Sequence, residues 1–414
     1  MDIQLNVTVL ISIFCLLVFV VHQSDATQQA NGLYFGNNFG IDIANASSSN
    51  VEGQITSTEK GDVYVVWVDK NSIYFSSTNE NVTNFSNAFV LSSNNSVPSS
   101  PRLGATEKGD VYVVWVDKNN STGNSNIVFR GSNDSGNSFE NGVLLNRDVT
   151  QNQTSSTTSF SPQIAATEKG DVYVVWVDEK NTTGDSNIEF IRSNDSGKIF
   201  SNRIILRSGD ILSYSPQITA TEKGDVYVVW VDESKKTGDS DISFRSSSDS
   251  GRNFEDRKRL RSSDTLLSSS PQIAATEKGD VYVVWVDKNS TIEDSDITFR
   301  SSTDRGADFK RAVNLNSEEK KLYNDSSPQI VTTGKDRVNI AWANNHIEFK
   351  EILVQDTRLG VTVILSNISS WSSSPQLTAT EKGDVYVIWV DKDSTADISL
   401  IFKRISEYYF ARNS

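Results

Sequence analysis

The chain of 414 residues carries 53 Asp and Glu against 39 Lys and Arg, a net charge of −14. So acidic a surface repels nucleic acid and anionic membranes, so no nucleic-acid partner is expected and no membrane contact beyond the N-terminal segment. One cysteine and two histidines exclude a disulfide framework and leave thiolate and imidazole chemistry short of parts.

In chain order, the first feature is an apolar run from Val7 to Val21, interrupted only by Thr8 and Ser12. It is too short to span a bilayer comfortably. Ser24-Asp25-Ala26 follows, with the small residues that a signal peptidase reads. Residues 1–26 are therefore read as a signal peptide rather than an uncleaved anchor, although the first six residues carry Asp2 and no base. The expected destination is secreted or cell-surface, with residues 27–414 as the mature chain. Cys15 lies inside the apolar run, so the mature chain has no thiol and keeps one histidine, His346.

At Thr58 the phrase TEKGDVYVVWVD begins, and it returns unchanged at Thr106, Thr167, Thr221 and Thr276. A copy at Thr380 differs only in Ile388, and an eroded one, TGKDRVNIAWAN, begins at Thr333. Trp67, Trp115, Trp176, Trp230, Trp285, Trp342 and Trp389 mark one point of each repeat, with spacings of 48, 61, 54, 55, 57 and 47 residues. A period of about 50 residues signals a solenoid, a propeller or an array.

The repeat around Trp285 shows the internal plan. Pro271 opens a short strand, and Glu277-Lys278-Gly279-Asp280 makes a tight turn. Val281 to Val286 has no polar alternation, so this strand must be covered on both faces. Ile297 to Arg300 alternates, and the segment from Phe309 to Asn316 carries Lys310 and Arg311 as an exposed edge strand does. Four strands with the second doubly buried predict an all-β chain, a seven-bladed β-propeller of four-stranded antiparallel blades. The last repeat stops after three strands. Gly36-Asn37-Asn38-Phe39 resembles Gly136-Asn137-Ser138-Phe139, so an N-terminal strand at about residues 35–46 is expected to complete the last blade and close a monomeric ring.

A second phrase recurs between the third and fourth strands: SNDSGNSF at Ser132, SNDSGKIF at Ser193, SSDSGRNF at Ser247 and STDRGADF at Ser302. Asp134, Asp195, Asp249 and Asp304 can accept N–H groups of their own turns, while Gly136, Gly197, Gly251 and Gly306 take the left-handed conformation. This Ser-x-Asp-x-Gly-x-x-aromatic pattern resembles the Asp box, or BNR repeat, of sialidases and related propellers, with Phe where Trp is common. The resemblance covers nearly all of the mature chain through scaffold motifs. It implies boxes placed away from the ligand face, hence a structural role.

A sialidase-like enzyme implies more: an arginine triad, a Tyr nucleophile paired with Glu, and an Asp acid/base. The Phe-Arg-Ile-Pro-like motif of that family is absent, the nearest string being Pro101-Arg102-Leu103. Arg130, Arg192, Arg245 and Arg300 recur at one repeat position, and near-identical blades supply rings of like residues rather than one triad. Isolated His346 reads as a strand-entry residue. GDVYVVW opens a strand without the helix that phosphate binding needs.

The loops after each second strand and those between blades should share one face. Asp69, Asp117, Asp178, Asp232, Asp287 and Asp391 stand at the first set, with Asn344 in the eroded repeat. Their oxygens could hold Ca²⁺. Asx turns explain them more simply, so no cofactor is expected, with Ca²⁺ as the alternative. Trp371, the one tryptophan outside the repeat position, with Tyr214 and Phe160, each shortly precedes a blade-opening Pro. Such aromatics either stack on sugar rings or cap the blade cores. Arg257-Lys258-Arg259 reads as an edge guard. Sequons such as Asn81, Asn84, Asn119, Asn181 and Asn289 fall in loops and suit a glycoprotein. The expected function is an exported, non-catalytic propeller binding glycans or a surface protein. The alternative is a sialidase-like exo-glycosidase, a glycoside hydrolase with a diverged active site.

Overall fold

The computed structural model describes residues 53–406 except 59, 61, 70, 79–85, 87, 94–95, 120–124, 147–156, 181–182, 261–265, 290–293, 317–326, 335–336, 354–357, 361, 367–370, 381–382 and 393–397. It also describes the backbone of five short strands between residues 13 and 45. Among the described residues the chain is all-β, with five antiparallel sheets of four strands, one of five and one of six, besides a two-stranded pair. In chain order the four-stranded sheets are led by Gly53–Ser57, Ser96–Ala105, Thr157–Ala166, Leu212–Ala220 and Leu266–Ala275. These are sheets one to five. Gln329–Thr333 leads the sixth and Trp371–Ala379 the seventh.

The doubly apolar strand explains how the sheets stack. In the fourth sheet, Tyr227, Val229 and Val231 pack on Ile273, Val283 and Trp285 of the fifth. The alternate residues Val226, Val228 and Trp230 pack on Tyr173, Val175 and Val177 of the third. Successive side chains of a strand point to opposite faces, so an unbroken apolar run fills two sheet-to-sheet interfaces at once.

The near-identity of the TEKG turns also has a physical cause. The Glu107 amide donates to Glu168 Oε1 at 2.7 Å, the Glu168 amide to Glu222 Oε1 at 2.7 Å, and the Glu222 amide to Glu277 Oε1 at 2.9 Å. Lys60 and Lys223 each donate to the carbonyl of the next turn's glutamate at 2.6 Å. The turns at Glu107, Glu168 and Glu222 are each both donor and acceptor to a copy of themselves, so one sequence serves them.

Sheets are further tied by the recurring third-strand cation. Arg130 donates to the Leu91 carbonyl of the preceding sheet at 2.8 Å, Arg245 to Leu206 at 3.1 Å and Arg300 to Leu260 at 3.2 Å. Lys350 does the same to Leu315 at 2.6 Å. The Ser-x-Asp-x-Gly turns add an aromatic plug: Phe139, Phe200, Phe254 and Phe309 meet Phe75, Phe129, Phe190 and Phe244 of the preceding sheet edge to face, with centroids 4.9 to 5.0 Å apart.

Sequence reading gave no sign of one feature. Ser100, Ser161, Ser215, Ser270 and Ser374 have φ of 50 to 54°, each directly before a proline, and the register of the first strand shifts there. In the fourth sheet Tyr214 faces Val231 and Gln217 faces Val229, so one extra residue is accommodated as a bulge, where a proline without an N–H is tolerated.

At the chain start, Phe39–Ile41 pairs with Ile398–Ser406, matching Phe39 to Phe402 and Ile41 to Leu400, and Leu33–Phe35 pairs further along the same strand. Ile13–Leu17, inside the segment read as a signal peptide, pairs with Ile43–Asn45. The remainder of residues 1–26 lies outside the described residues. Between the first and seventh sheets, Gln54 donates to Gln376 at 3.4 Å and the Ser57 and Thr378 hydroxyls lie 3.4 Å apart. No helix among the described residues is long and apolar enough to cross a membrane.

Candidate functional site

The aspartates that end the second strands are held by the fold. Asp287 accepts from Ser268 Oγ at 2.6 Å, Trp285 Nε1 at 2.7 Å and Thr298 Oγ1 at 2.8 Å. Asp232 accepts from Ser213 Oγ at 2.6 Å, Trp230 Nε1 at 2.7 Å and Ser243 Oγ at 2.7 Å. Arg207 and Arg257 each stand 3.2 Å from its Oδ2. Asp178 accepts from Ser159 at 2.6 Å and Asp391 from Ser372 at 2.5 Å. The donor is each time the serine three residues before the blade-opening proline. In the second sheet Pro98 occupies that place and faces Asp117, whose Oδ1 is buried without a partner. The side chain of Asp69 lies outside the described residues.

Among the aromatics, Phe160 packs into the layers on both sides of the third sheet. Tyr214 packs between the fourth and fifth sheets and donates its hydroxyl to Glu233 at 2.8 Å. Trp371 is different: it is 53 % exposed at the loop end of the seventh sheet, while Trp176, Trp230, Trp285 and Trp342 are fully buried. The Asp, aromatic and Trp candidates thus separate into buried fasteners, core caps and one exposed ring. Arg259 ion-pairs with Asp241 and Lys258 donates to the Ala307 carbonyl, so the Arg-Lys-Arg run cross-links as well as guarding an edge.

Glu189 was not singled out from the sequence. It stands opposite Trp176, where the sixth sheet also has a glutamate, Glu348, and other sheets place Val128, Ser243 and Thr298. Only 3 % exposed, its carboxyl is pushed up to about 7, by burial above all, with Arg203 pulling it down and Asp178 pushing it up. Below its ordinary value of 4.5 the group is neutral in folded and unfolded chains, and above about 7 it is ionised in both. Between these limits the folded chain holds the extra proton, so stability falls as pH rises through that window. Glu189→Gln should remove the fall, leaving the variant about 3 kcal/mol more stable than the native chain near pH 8 and equal to it near pH 4. Urea midpoints at the two pH values check this.

At the opposite end, where the TEKG and Ser-x-Asp-x-Gly turns lie, a cleft of about 490 Å³ opens between the fourth and fifth sheets. Asp225, Tyr227, Lys258 and Arg305 line it. Arg305 Nε stands 3.2 Å from Asp225 Oδ2. Burial first, then the Asp225 charge, raises the Tyr227 hydroxyl, which Arg305 opposes. The Tyr227 hydroxyl shares the buried setting of the Tyr64, Tyr112 and Tyr173 hydroxyls at the equivalent place in other sheets. Among the described residues no group of three or more His, Cys, Asp or Glu is arranged to hold a metal ion.

No protein-family model matches the sequence, and no curated protein is similar to it. Solved structures do match in shape. The polysaccharide lyase Uly1 superimposes with a TM-score of 0.59 at 10 % identity, over 97 % of this chain and 99 % of its own. NanB, a sialidase of Streptococcus pneumoniae, gives a TM-score of 0.51 with Optactamide at 9 % identity, over 90 % of each chain. The α-L-arabinanase of Penicillium chrysogenum complexed with arabinobiose gives 0.50 at 12 % identity, over 74 % of this chain and 92 % of that one. All are β-propellers. The chain has the fold of a sialidase-like β-propeller. At these identities the likeness extends to the fold alone.

This propeller distributes its sialidase-type residues in an instructive way. Tyr214 faces Val231 in register, and Glu233 lies two residues beyond, so the Tyr–Glu pair is on the face toward the fifth sheet. Asp232, with Arg207 and Arg257, is on the face toward the third. The Tyr–Glu pair and the arginine pair stand back to back across one sheet. Burial, and then the Glu233 hydrogen bond, raise the Tyr214 hydroxyl and keep it protonated, the reverse of what a phenolate nucleophile needs.

Proposed function

We propose that the chain is an exported, non-catalytic propeller of seven blades in a closed ring, binding glycans through its loop end. The Gln54–Gln376 and Ser57–Thr378 contacts between the first and last sheets support closure, and the apolar run ending in Ala26 supports export. The observation that carries the function is Trp371, a large aromatic half out of the protein at the rim of the loop end, whereas Phe160 and Tyr214 are packed away. A flat apolar ring of that kind stacks on sugar faces. The matching propellers, an arabinanase complexed with arabinobiose and a polysaccharide lyase, favour carbohydrate over a surface protein as the partner. Ca²⁺ has no part in this reading.

Glycan-array binding by the purified full-length chain tests it, with Trp371→Ala expected to weaken the strongest signal about tenfold. An array with no signal sinks the carbohydrate reading, and a signal indifferent to Trp371→Ala moves the site off this rim. The second reading, a sialidase-like exo-glycosidase, draws on the Tyr214–Glu233 hydrogen bond of 2.8 Å. Turnover of a fluorogenic sialoside that survives purification and is lost in Tyr214→Phe would establish it over the first.

A further inference from the structure

We propose that the outer wall of the third, fourth and fifth sheets is a docking surface for a linear acidic polysaccharide, a chain bearing carboxylate or sulfate groups. It goes beyond the loop-end reading, uses a different surface from Trp371 and stands or falls without it.

Charge along the chain points to the place. The leading strands of these three sheets touch one another, so the fourth strand of each lies on the outer circumference. Residues 198–207, which run into the fourth strand of the third sheet, carry three bases and no acid. Residues 252–260 of the fourth repeat carry four bases and two acids, and residues 307–316 of the fifth carry two bases and one acid. The matching stretches of the first two repeats, 86–92 and 137–146, carry no base. In a chain of net charge −14, nine bases against three acids on one stretch of wall reverse the sign locally. Such a patch attracts polyanions.

Packing leaves that charge outside. Lys198, Arg252, Arg259, Lys310 and Arg311 are exposed. Arg207 and Arg257 share a single carboxylate, Asp232, and Arg259 pairs with Asp241. With those two aspartates counted, the wall still holds an excess of four positive charges. Asp195, Asp249 and Asp304 stand at its turn end, engaged by amides of their own turns. Lys258 donates to the Ala307 carbonyl, and Arg245 to the Leu206 carbonyl at 3.1 Å, so the three outer strands are fixed side by side. Ile199 and Ile205, 73 % and 52 % exposed, set apolar surface among the bases, which the C–H faces of a sugar can cover.

Shape selects among polyanions. The outer edges of neighbouring propeller sheets form a convex wall, which meets a flat membrane along one sheet only. Duplex DNA, with a persistence length of about 150 base pairs, bends round so small a wall only at high cost. Single-stranded nucleic acid gains much of its affinity by stacking on exposed aromatic rings. Phe200, Phe254 and Phe309 are turned inward against the preceding sheets. A flexible acidic polysaccharide meets none of these obstacles.

Binding of the purified full chain to dextran sulfate, polygalacturonate and neutral dextran tests the surface. One or both acidic polymers should bind and dextran should not, the preferred polymer telling sulfate from carboxylate. Raising salt from about 0.05 to about 0.5 M should weaken that binding about tenfold or more. The triple variant Lys198→Glu, Lys310→Glu, Arg311→Glu should also bind about tenfold or more weakly. Lys118→Glu, Lys180→Glu, Lys236→Glu makes the same change in total charge at exposed loop-end positions. That variant and Trp371→Ala should stay within about threefold of the native chain. Equal losses in the two triple variants overturn the wall, as does failure of both acidic polymers to bind or equal binding of neutral dextran. Tighter binding to phosphatidylserine–phosphatidylcholine vesicles or to polyuridylate than to either polysaccharide overturns the partner. The loop-end glycan array is untouched by any of these results.

Discussion

Asp232→Ala is expected to lower the stability of the propeller by about 4 kcal/mol, the largest loss from any single truncation at the loop end. The carboxylate is 3 % exposed and gathers three buried neutral donors, Ser213, Trp230 and Ser243. Removing it leaves those donors facing alanine, and an unpaired buried donor costs about 1–3 kcal/mol. Arg207 and Arg257 contribute less. Their side chains are 24 % and 35 % exposed, so water screens the pairs, which together add about 1 kcal/mol. Asp287→Ala removes the same three kinds of neutral donor and should cost about 3 kcal/mol. The shift in urea midpoint at unchanged slope measures both. A loss under about 1 kcal/mol for Asp232→Ala would mean that water enters and satisfies the donors, and the fastener account would fail.

Asp232 also shows where sequence reasoning reaches and where it stops. The unbroken run Val226 to Val231 announces a strand buried on both faces, since nothing else tolerates six apolar residues in a β-strand, and both cores form from it. The aspartate that ends the run reads equally well as a ligand-face acid. Its commitment depends on Ser213 across the bulge and on arginines 25 residues away on either side. A local pattern carries no information about such pairings. A usable signal did exist, in the serine three residues before Pro162, Pro216, Pro271 and Pro375, which marks the sheets whose aspartate is held. Arg305 is visible only as a departure from a turn position that is otherwise serine, which says where to look without saying what replaces the lost contact. Glu189 sits at a position that varies from sheet to sheet and so announces nothing. The back-to-back placement of Tyr214–Glu233 and Arg207–Arg257 follows from strand alternation once the register is known. The bulge at Ser215 shifts that register by one.

Register and packing meet again in the glycine of the Ser-x-Asp-x-Gly turn. Gly251→Ala should cost about 3 kcal/mol and Gly238→Ala about 1 kcal/mol, although both glycines belong to the fourth repeat. Their backbones are nearly the same, with φ of +73° and +75°, so the left-handed strain and the stiffening of the unfolded chain are alike in both and cancel in the difference. Their surroundings differ. A Cβ on Gly238 would meet nothing within 4 Å, whereas one on Gly251 would fall 2.6 Å from Phe190 Cζ and 2.9 Å from its Cε1. Phe190 cannot retreat cheaply, being clamped between Phe254 at 4.9 Å, edge to face, and Tyr173 at 6.3 Å, stacked. Overpacking of that kind costs about 1–3 kcal/mol. Paired urea titrations of the two variants isolate the term. Equal losses would show that the aromatic stack between sheets yields to a methyl group, and the plugs would then be too soft to hold neighbouring sheets in register.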